Sequence, residues 1–254
     1  MSKYKNILIT GASSGIGEAL ALYYAANGAE HLFLCARNSA RLEEVAKKCR
    51  AYSPNVHLSV VDVSDSLAVE KWINHCNGIA KLQLVFANAG VATAQETSDN
   101  IRNTFAINVG GVVNTVLPAL TLMQQNPHNP FRHIVITSSI AGYHGLPACP
   151  SYSASKACVK AWGEALRIEL GKKYGIKVSV IAPGFVRSRI TDQNTCPMPF
   201  FMEADRAASL IAHRVEKNIG MIAFPWPMRF CAWLISILPN CLSDLIYKLM
   251  PYKV

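Results

Sequence analysis

The chain has 254 residues, 51% of them hydrophobic and 16% charged, and a formal net charge of 25 − 16 = +9. That apolar content excludes a disordered chain, and the length suits one large α/β domain. The basic residues are scattered, so nucleic-acid binding is not expected; an anionic ligand or a membrane surface would use the charge equally well.

The eight cysteines are Cys35, Cys49, Cys76, Cys149, Cys158, Cys196, Cys231 and Cys241. No two have the spacing of a zinc or redox pair, and the N-terminal MSKYKNILIT lacks the layout of a signal peptide. They read as reduced thiols of a cytoplasmic protein, most of them core filler, with no metal site.

Strands and helices are predicted in alternation. NILIT (6–10) is a first strand, followed by the turn TGASSGIG (10–17) and a helix over 15–27. HLFLCA (31–36) is a second strand and SARLEEVAKKC (39–49) a second helix. VHLSVVDV (56–63) is a third strand, 66–76 a third helix and LQLVFA (82–87) a fourth strand. Over 98–125, Phe105, Val109, Val112, Val116, Leu120 and Met123 recur at spacings of three and four, which predicts one long helix. HIVITS (133–138) is a fifth strand. A helix over 151–173 carries the stripe Val159, Trp162, Leu166 and Leu170. KVSVIA (177–182) and MIAF (221–224) bring the strands to about seven. Continuous apolar strands separated by helices require a parallel sheet covered on both faces. The expected fold is therefore a single α/β domain (residues 1–254), a doubly wound, Rossmann-like parallel sheet. Ligands bind such a sheet beyond the carboxyl ends of its strands.

The turn after the first strand holds Gly11, Ser13, Ser14, Gly15, Ile16 and Gly17. Glycine lets the chain turn tightly beside a ligand, and the following helix aims free N–H groups at a phosphate. The order G-x-x-x-G-x-G differs from the commoner G-x-G-x-x-G. Further on, Tyr152 precedes Lys156 by four residues, which puts both on one helix face. A free tyrosine has a pKa of about 10. A neighbouring ammonium is expected to lower it and make the phenol a usable acid and base.

TGASSGIG, Asp62 after the third strand, NAG at 88–90, Asn108, Ser139, Tyr152 with Lys156, and PGFVRS at 183–188 occur in that order. Over roughly residues 5–190 this resembles the short-chain dehydrogenase/reductase family. The resemblance implies a catalytic set of Ser139, Tyr152, Lys156 and Asn108. Tyr152 is then the proton donor in reduction and the base in oxidation, and Lys156 also holds the nicotinamide ribose. Ser139, thirteen residues before Tyr152, holds the substrate oxygen; Ser138 competes by position alone. Asn108 marks a helix bend whose freed carbonyl binds a relay water. Asp62 with Val63 takes the adenine, Asn88, Ala89 and Gly90 support the adenosine side, and Pro183, Gly184, Val186 and Ser188 approach the nicotinamide. Arg37 at the end of the second strand implies NADP(H) over NAD(H), because a guanidinium fork suits a 2′-phosphate. Ser14 stands where many NADP-preferring relatives have a second basic residue, and Arg41 is a candidate helper.

Two segments are expected to wall the substrate. One is 140–150, with Tyr143; the other is a lid over 187–220, with Phe200. Both suggest an apolar carbonyl or alcohol substrate. The tail, 225–254, has no uninterrupted apolar run of the ~20 residues a membrane span needs. It is expected to cover the cleft, a subunit interface or a membrane surface, and the sequence leaves the three open. The resemblance also implies a homodimer or homotetramer pairing through 98–125 and 151–173. Two rival readings are a non-catalytic dinucleotide sensor or scaffold, and an epimerase or dehydratase on the same fold. The first has no need of the Ser139–Tyr152–Lys156 set, and the second usually carries a larger substrate region.

Overall fold

Side chains alternate across a strand, so strands that are apolar throughout need cover on both faces. The computed structural model, which describes residues 1–53, 55–93, 95–192 and 197–249, provides it. Seven strands, β1 (Asn6–Thr10), β2 (His31–Ala36), β3 (Asn55–Val60), β4 (Leu84–Ala87), β5 (His133–Thr137), β6 (Lys177–Pro183) and β7 (Met221–Phe224), form one parallel sheet. Their order is β3-β2-β1-β4-β5-β6-β7, so the winding reverses between β1 and β4. Residues 193–196 of the expected lid, Cys196 among them, and 250–254 of the tail lie outside the described residues.

The helices divide between the faces. Ile7, Ile9, Leu34 and Phe86 pack with α1 (Gly15–Ala26), α2 (Ser39–Arg50) and α8 (Ala204–Glu216). Leu8, Phe33, Val85 and Ile134 pack with α3 (Ser66–Ile79), α5 (Gly111–Gln124) and α6 (Pro150–Tyr174). Each fully buried aliphatic side chain contributes roughly 1.5–3 kcal/mol, so this two-sided burial dominates the stability of the sheet. The short α4 (Ser98–Phe105) and α7 (Arg189–Asp192) and the final pair α9 (Trp226–Ile237) and α10 (Asn240–Leu249) complete the chain.

The single helix expected over 98–125 is interrupted. A π turn, Ala106–Gly110, separates α4 from α5. Gly111 approaches Val63 so closely that a Cβ would lie 2.5 Å from Val63 Cγ2. The extra residue in the turn rotates the apolar stripe, leaving Phe105 exposed while Val112, Val116 and Met123 stay buried. By length and composition Ser98–Gln124 would span a bilayer, yet here it packs on α3 and α6 as a wall of the domain. The cysteines also depart from expectation. Cys35, Cys49 and Cys76 are core residues, but Cys158, Cys231 and Cys241 are exposed, because their helices turn those positions outward.

Candidate active site

At the carboxyl end of the sheet lies a cleft of about 560 Å³, between the end of β1 and the segment after β6. The glycine turn forms one rim. Gly15 has φ +57, and a Cβ there would lie 2.8 Å from Ser188 Cβ. Ser14 caps α1 in extended backbone and spends no side-chain hydrogen bond on the cap. Its hydroxyl and the first-turn N–H groups are therefore available to an anion at the helix's positive end. Gly17 does a different job from its neighbours. It is buried outside the cleft lining, and a Cβ would run into the Gly11 carbonyl and lie 2.7 Å from Asn88 Nδ2. It lets α1 sit against the strand ends and touches no ligand space.

Asn88 ties three strands together. Its N–H donates to Thr10 Oγ1 at 2.9 Å, its Nδ2 to the Thr10 carbonyl at 3.1 Å, and its Oδ1 accepts from Thr137 Oγ1 at 3.3 Å. Ala89 and Gly90 continue from it along the cleft wall.

At the far end, α6 carries Tyr152 and Lys156 one turn apart. Ser139 Oγ accepts from Ala141 N at 3.1 Å and donates to the Pro183 carbonyl at 3.3 Å. Burial raises the pKa of Tyr152, and a hydrogen bond with Ser139 pulls the other way. Lys156 Nζ lies 5.8 Å from the Tyr152 ring centroid and donates to the Thr137 carbonyl at 3.0 Å. Lys156 is 3% exposed, and burial lowers its pKa to about 8. The expectation that the ammonium holds the phenol's pKa down is not met in this geometry. Desolvation acts on both groups and favours the neutral form of each, and Ser139 is the partner that favours the phenolate. Ser138 is not a rival for that place, since its hydroxyl donates to the Lys156 carbonyl at 2.7 Å and fastens α6 to β5.

Asn108 lies in the π turn, fully buried. Its amide accepts from Val91 N at 2.8 Å and donates to the Val91 carbonyl at 2.9 Å and to Ser155 Oγ at 3.1 Å. Ser155 Oγ in turn donates to the Tyr152 carbonyl at 2.7 Å, so Asn108 braces the turn that carries Tyr152. A Cβ on Gly90 would lie 3.2 Å from both Asn108 Oδ1 and Lys156 Nζ.

The end of the cleft beside β2 holds Arg37 and Arg41. Arg37 Nη1 is 3.8 Å from Asp62 Oδ2, and Asp62 Oδ1 accepts from the N–H and hydroxyl of Ser64. Burial would raise the Asp62 carboxyl, but the Ser64 hydrogen bonds and then Arg37 outweigh it and hold the pKa low. Asp65, not Asp62, caps α3, accepting from Ala68 N at 3.0 Å. Arg41 Nε is buried without a hydrogen-bond partner among the described residues. Val63, Pro183, Gly184, Val186 and Ser188 line the cleft as well.

Neither expected substrate contact reaches it. Tyr143 lies in a second hollow with His144 and Leu146, where Lys160 Nζ stands 4.9 Å from its ring and Arg229 of α9 hydrogen-bonds its hydroxyl. Phe200 sits at φ +57 in a turn and is 58% exposed. Long-range contacts that loop sequence does not encode place the first, and a left-handed turn exposes the second. The apolar lining comes instead from Val91, Ala92, Ile107 and Ile190, of which Val91 and Ala92 directly follow the NAG stretch. Reasoning from motifs also missed Thr137, which receives Lys156 through its carbonyl, although it adjoins the Ser138–Ser139 pair. Glu96 was missed too. Its Oε1 accepts from Ser151 N at 3.1 Å and from Ser151 Oγ at 2.8 Å, capping α6 from a distant loop.

Comparison with known proteins agrees with this geometry. A family model described as short chain dehydrogenase matches residues 5–197. An uncharacterized oxidoreductase of Myxococcus xanthus is 34% identical over 246 residues, 95% of each chain. The 11-beta-hydroxysteroid dehydrogenase A of Sesamum indicum is 36% identical over 194 residues, 74% of this chain and 54% of its own. The crystal structure of a short chain dehydrogenase/reductase from Burkholderia phymatum in complex with NAD superposes with a TM-score of 0.84. It covers 100% of this chain and 99% of that one at 23% identity, a likeness of fold.

Proposed function

The chain belongs to the short-chain dehydrogenase family of oxidoreductases, and from that premise we propose that it interconverts an alcohol and a ketone or aldehyde using NADP(H). The observation that carries the reading is that Ser139, Tyr152 and a buried Lys156 line the same cleft as the glycine turn.

The residues present fit the cofactor. The uncapped N-terminus of α1 and the Ser14 hydroxyl suit a diphosphate. At the adenosine end Ala36 offers no carboxylate to repel a 2′-phosphate. Arg37 and the unpartnered Arg41 Nε supply cationic donors for it, which favours NADP(H) over NAD(H). Lys156 would hold the nicotinamide ribose, with Pro183, Gly184, Val186 and Ser188 along the ring's side. Bound there, the cofactor supplies or accepts the hydride.

In the reducing direction Tyr152 gives its proton to the substrate oxygen, and its raised pKa means the proton is present at neutral pH. The Ser139 hydroxyl donates to that same oxygen and holds it toward the phenol. In oxidation the steps reverse, and Tyr152 in its phenolate form, the form that reduction leaves, takes the alcohol proton. Asn108 keeps the Tyr152 turn in place through Ser155. The walls at Val91, Ala92, Ile107 and Ile190 suit an apolar substrate.

Replacing Tyr152 with Phe tests the reading. NADPH binding, followed by nucleotide fluorescence, should stay near the wild-type value, while turnover of a carbonyl and alcohol panel followed by NADPH absorbance is lost. Retained turnover would remove Tyr152 from the mechanism.

A further inference from the structure

Among the described residues, the last two helices leave an apolar face without a partner. Along α9, Trp226, Phe230, Trp233, Leu234 and Ile237 recur at spacings that put them on one side of a helix. They are 76%, 53%, 48%, 41% and 57% exposed, and α10 adds Leu242 and Leu245 at 47% and 55%. Single exposed apolar side chains are ordinary, but a contiguous group of this size marks an interaction surface.

The opposite side of the pair is fixed to the domain. Met228 Sδ would stand 2.8 Å from a Cβ on Gly184, Arg229 hydrogen-bonds Tyr143, and the Tyr247 ring lies 5.3 Å from that of His144. The exposed stripe is thus the outer face of a docked element. On that docked side α9 starts against Gly184, a wall of the cleft.

We propose that this face is an interfacial docking surface for an anionic lipid membrane. The stripe has the tryptophan, phenylalanine and leucine content that settles at the headgroup boundary. Helices of 12 and 10 residues, separated by Pro239, are too short to span a bilayer, so they lie along its surface. Charge selects the occupant. The chain carries +9, while the pair's outer side adds no net acidic charge, with Lys248 against Asp244. A second copy brings the same sign of charge to the face, whereas an anionic lipid surface brings the opposite one.

The test uses the full chain and needs no turnover, so its outcome is separate from that of the catalytic reading. The probes are phosphatidylcholine vesicles with and without phosphatidylserine, read by co-sedimentation and by quenching of tryptophan fluorescence with brominated phosphatidylcholine. The wild type should sediment with the anionic vesicles and be quenched there, less so at high salt. The double substitution Trp233→Asp with Ile237→Asp should weaken partition by about tenfold or more, with NADPH binding unchanged. Quenching of the wild type needs no variant and decides the question even where the double variant fails to fold. The proposal is overturned by a wild type that stays in the supernatant unquenched, or by a folded variant that sediments as well as the wild type. It is equally overturned by a concentration-dependent dimer that the same two substitutions abolish, which would make the face a contact between copies.

Discussion

Lys156 is held in a place that opposes its charge, and that opposition is measurable. At 3% exposure its pKa falls from 10.5 to about 8, with desolvation as the cause. One unit is worth about 1.4 kcal/mol, so folding around the ammonium costs about 3 kcal/mol at any pH well below 8. The sign follows from proton counting. Between pH 8 and 10.5 the unfolded chain keeps a proton that the folded chain has released, so stability rises with pH across that window. Lys156→Met keeps most of the bulk and removes the titration. The variant also loses the hydrogen bond to the Thr137 carbonyl, a term of about 1–3 kcal/mol of opposite sign. At pH 7 the two terms nearly offset, so a single measurement there decides nothing. The pH dependence isolates the first. Urea unfolding of both cofactor-free proteins from pH 7 to 9.5 should show wild type gaining about 2 kcal/mol on the variant across that range. A difference that stays flat would mean that Lys156 keeps an ordinary pKa and that burial is not what tunes this site.

Other outcomes follow from single contacts. Gly17→Ala drives a Cβ into the Gly11 carbonyl and against Asn88 Nδ2, and should cost about 2–3 kcal/mol or more with loss of NADPH affinity; an unchanged denaturation midpoint would show that the strand ends can move apart. Glu96→Ala removes the acceptor that caps α6 and should cost about 1 kcal/mol, while Glu96→Gln, which keeps an acceptor, should recover most of it in the same urea titration. Arg37→Asp should weaken NADPH binding by about tenfold or more and leave NADH affinity within a few-fold. An unchanged preference would place recognition of the 2′-phosphate on other groups, Arg41 first among them.

Much of this was legible in the sequence because it is local. Strand runs such as HLFLCA, apolar after its first residue, and MIAF need two-sided cover wherever they fall, and they became β2 and β7 within the predicted bounds. The glycine turn and the Tyr152–Lys156 spacing likewise carry their meaning within a few residues, and the structure brings both to one cleft. The apolar spacing over 98–125 read as one helix and only the resemblance placed a bend at Asn108; the form of the break, a π turn pressed on Val63, needed Gly111 and its distant neighbour. The remainder was decided only by tertiary contact. Tyr143 and Phe200 are apolar loop residues of the expected kind, yet Lys160 and Arg229 hold the first and a left-handed turn exposes the second. The protonation balance of Tyr152 and Lys156 depends on how much water the fold removes, and spacing along a helix cannot report that. Whether the tail's apolar stripe faces inward or outward is likewise set by what its other side binds, and Gly184, Tyr143 and His144 turn it outward.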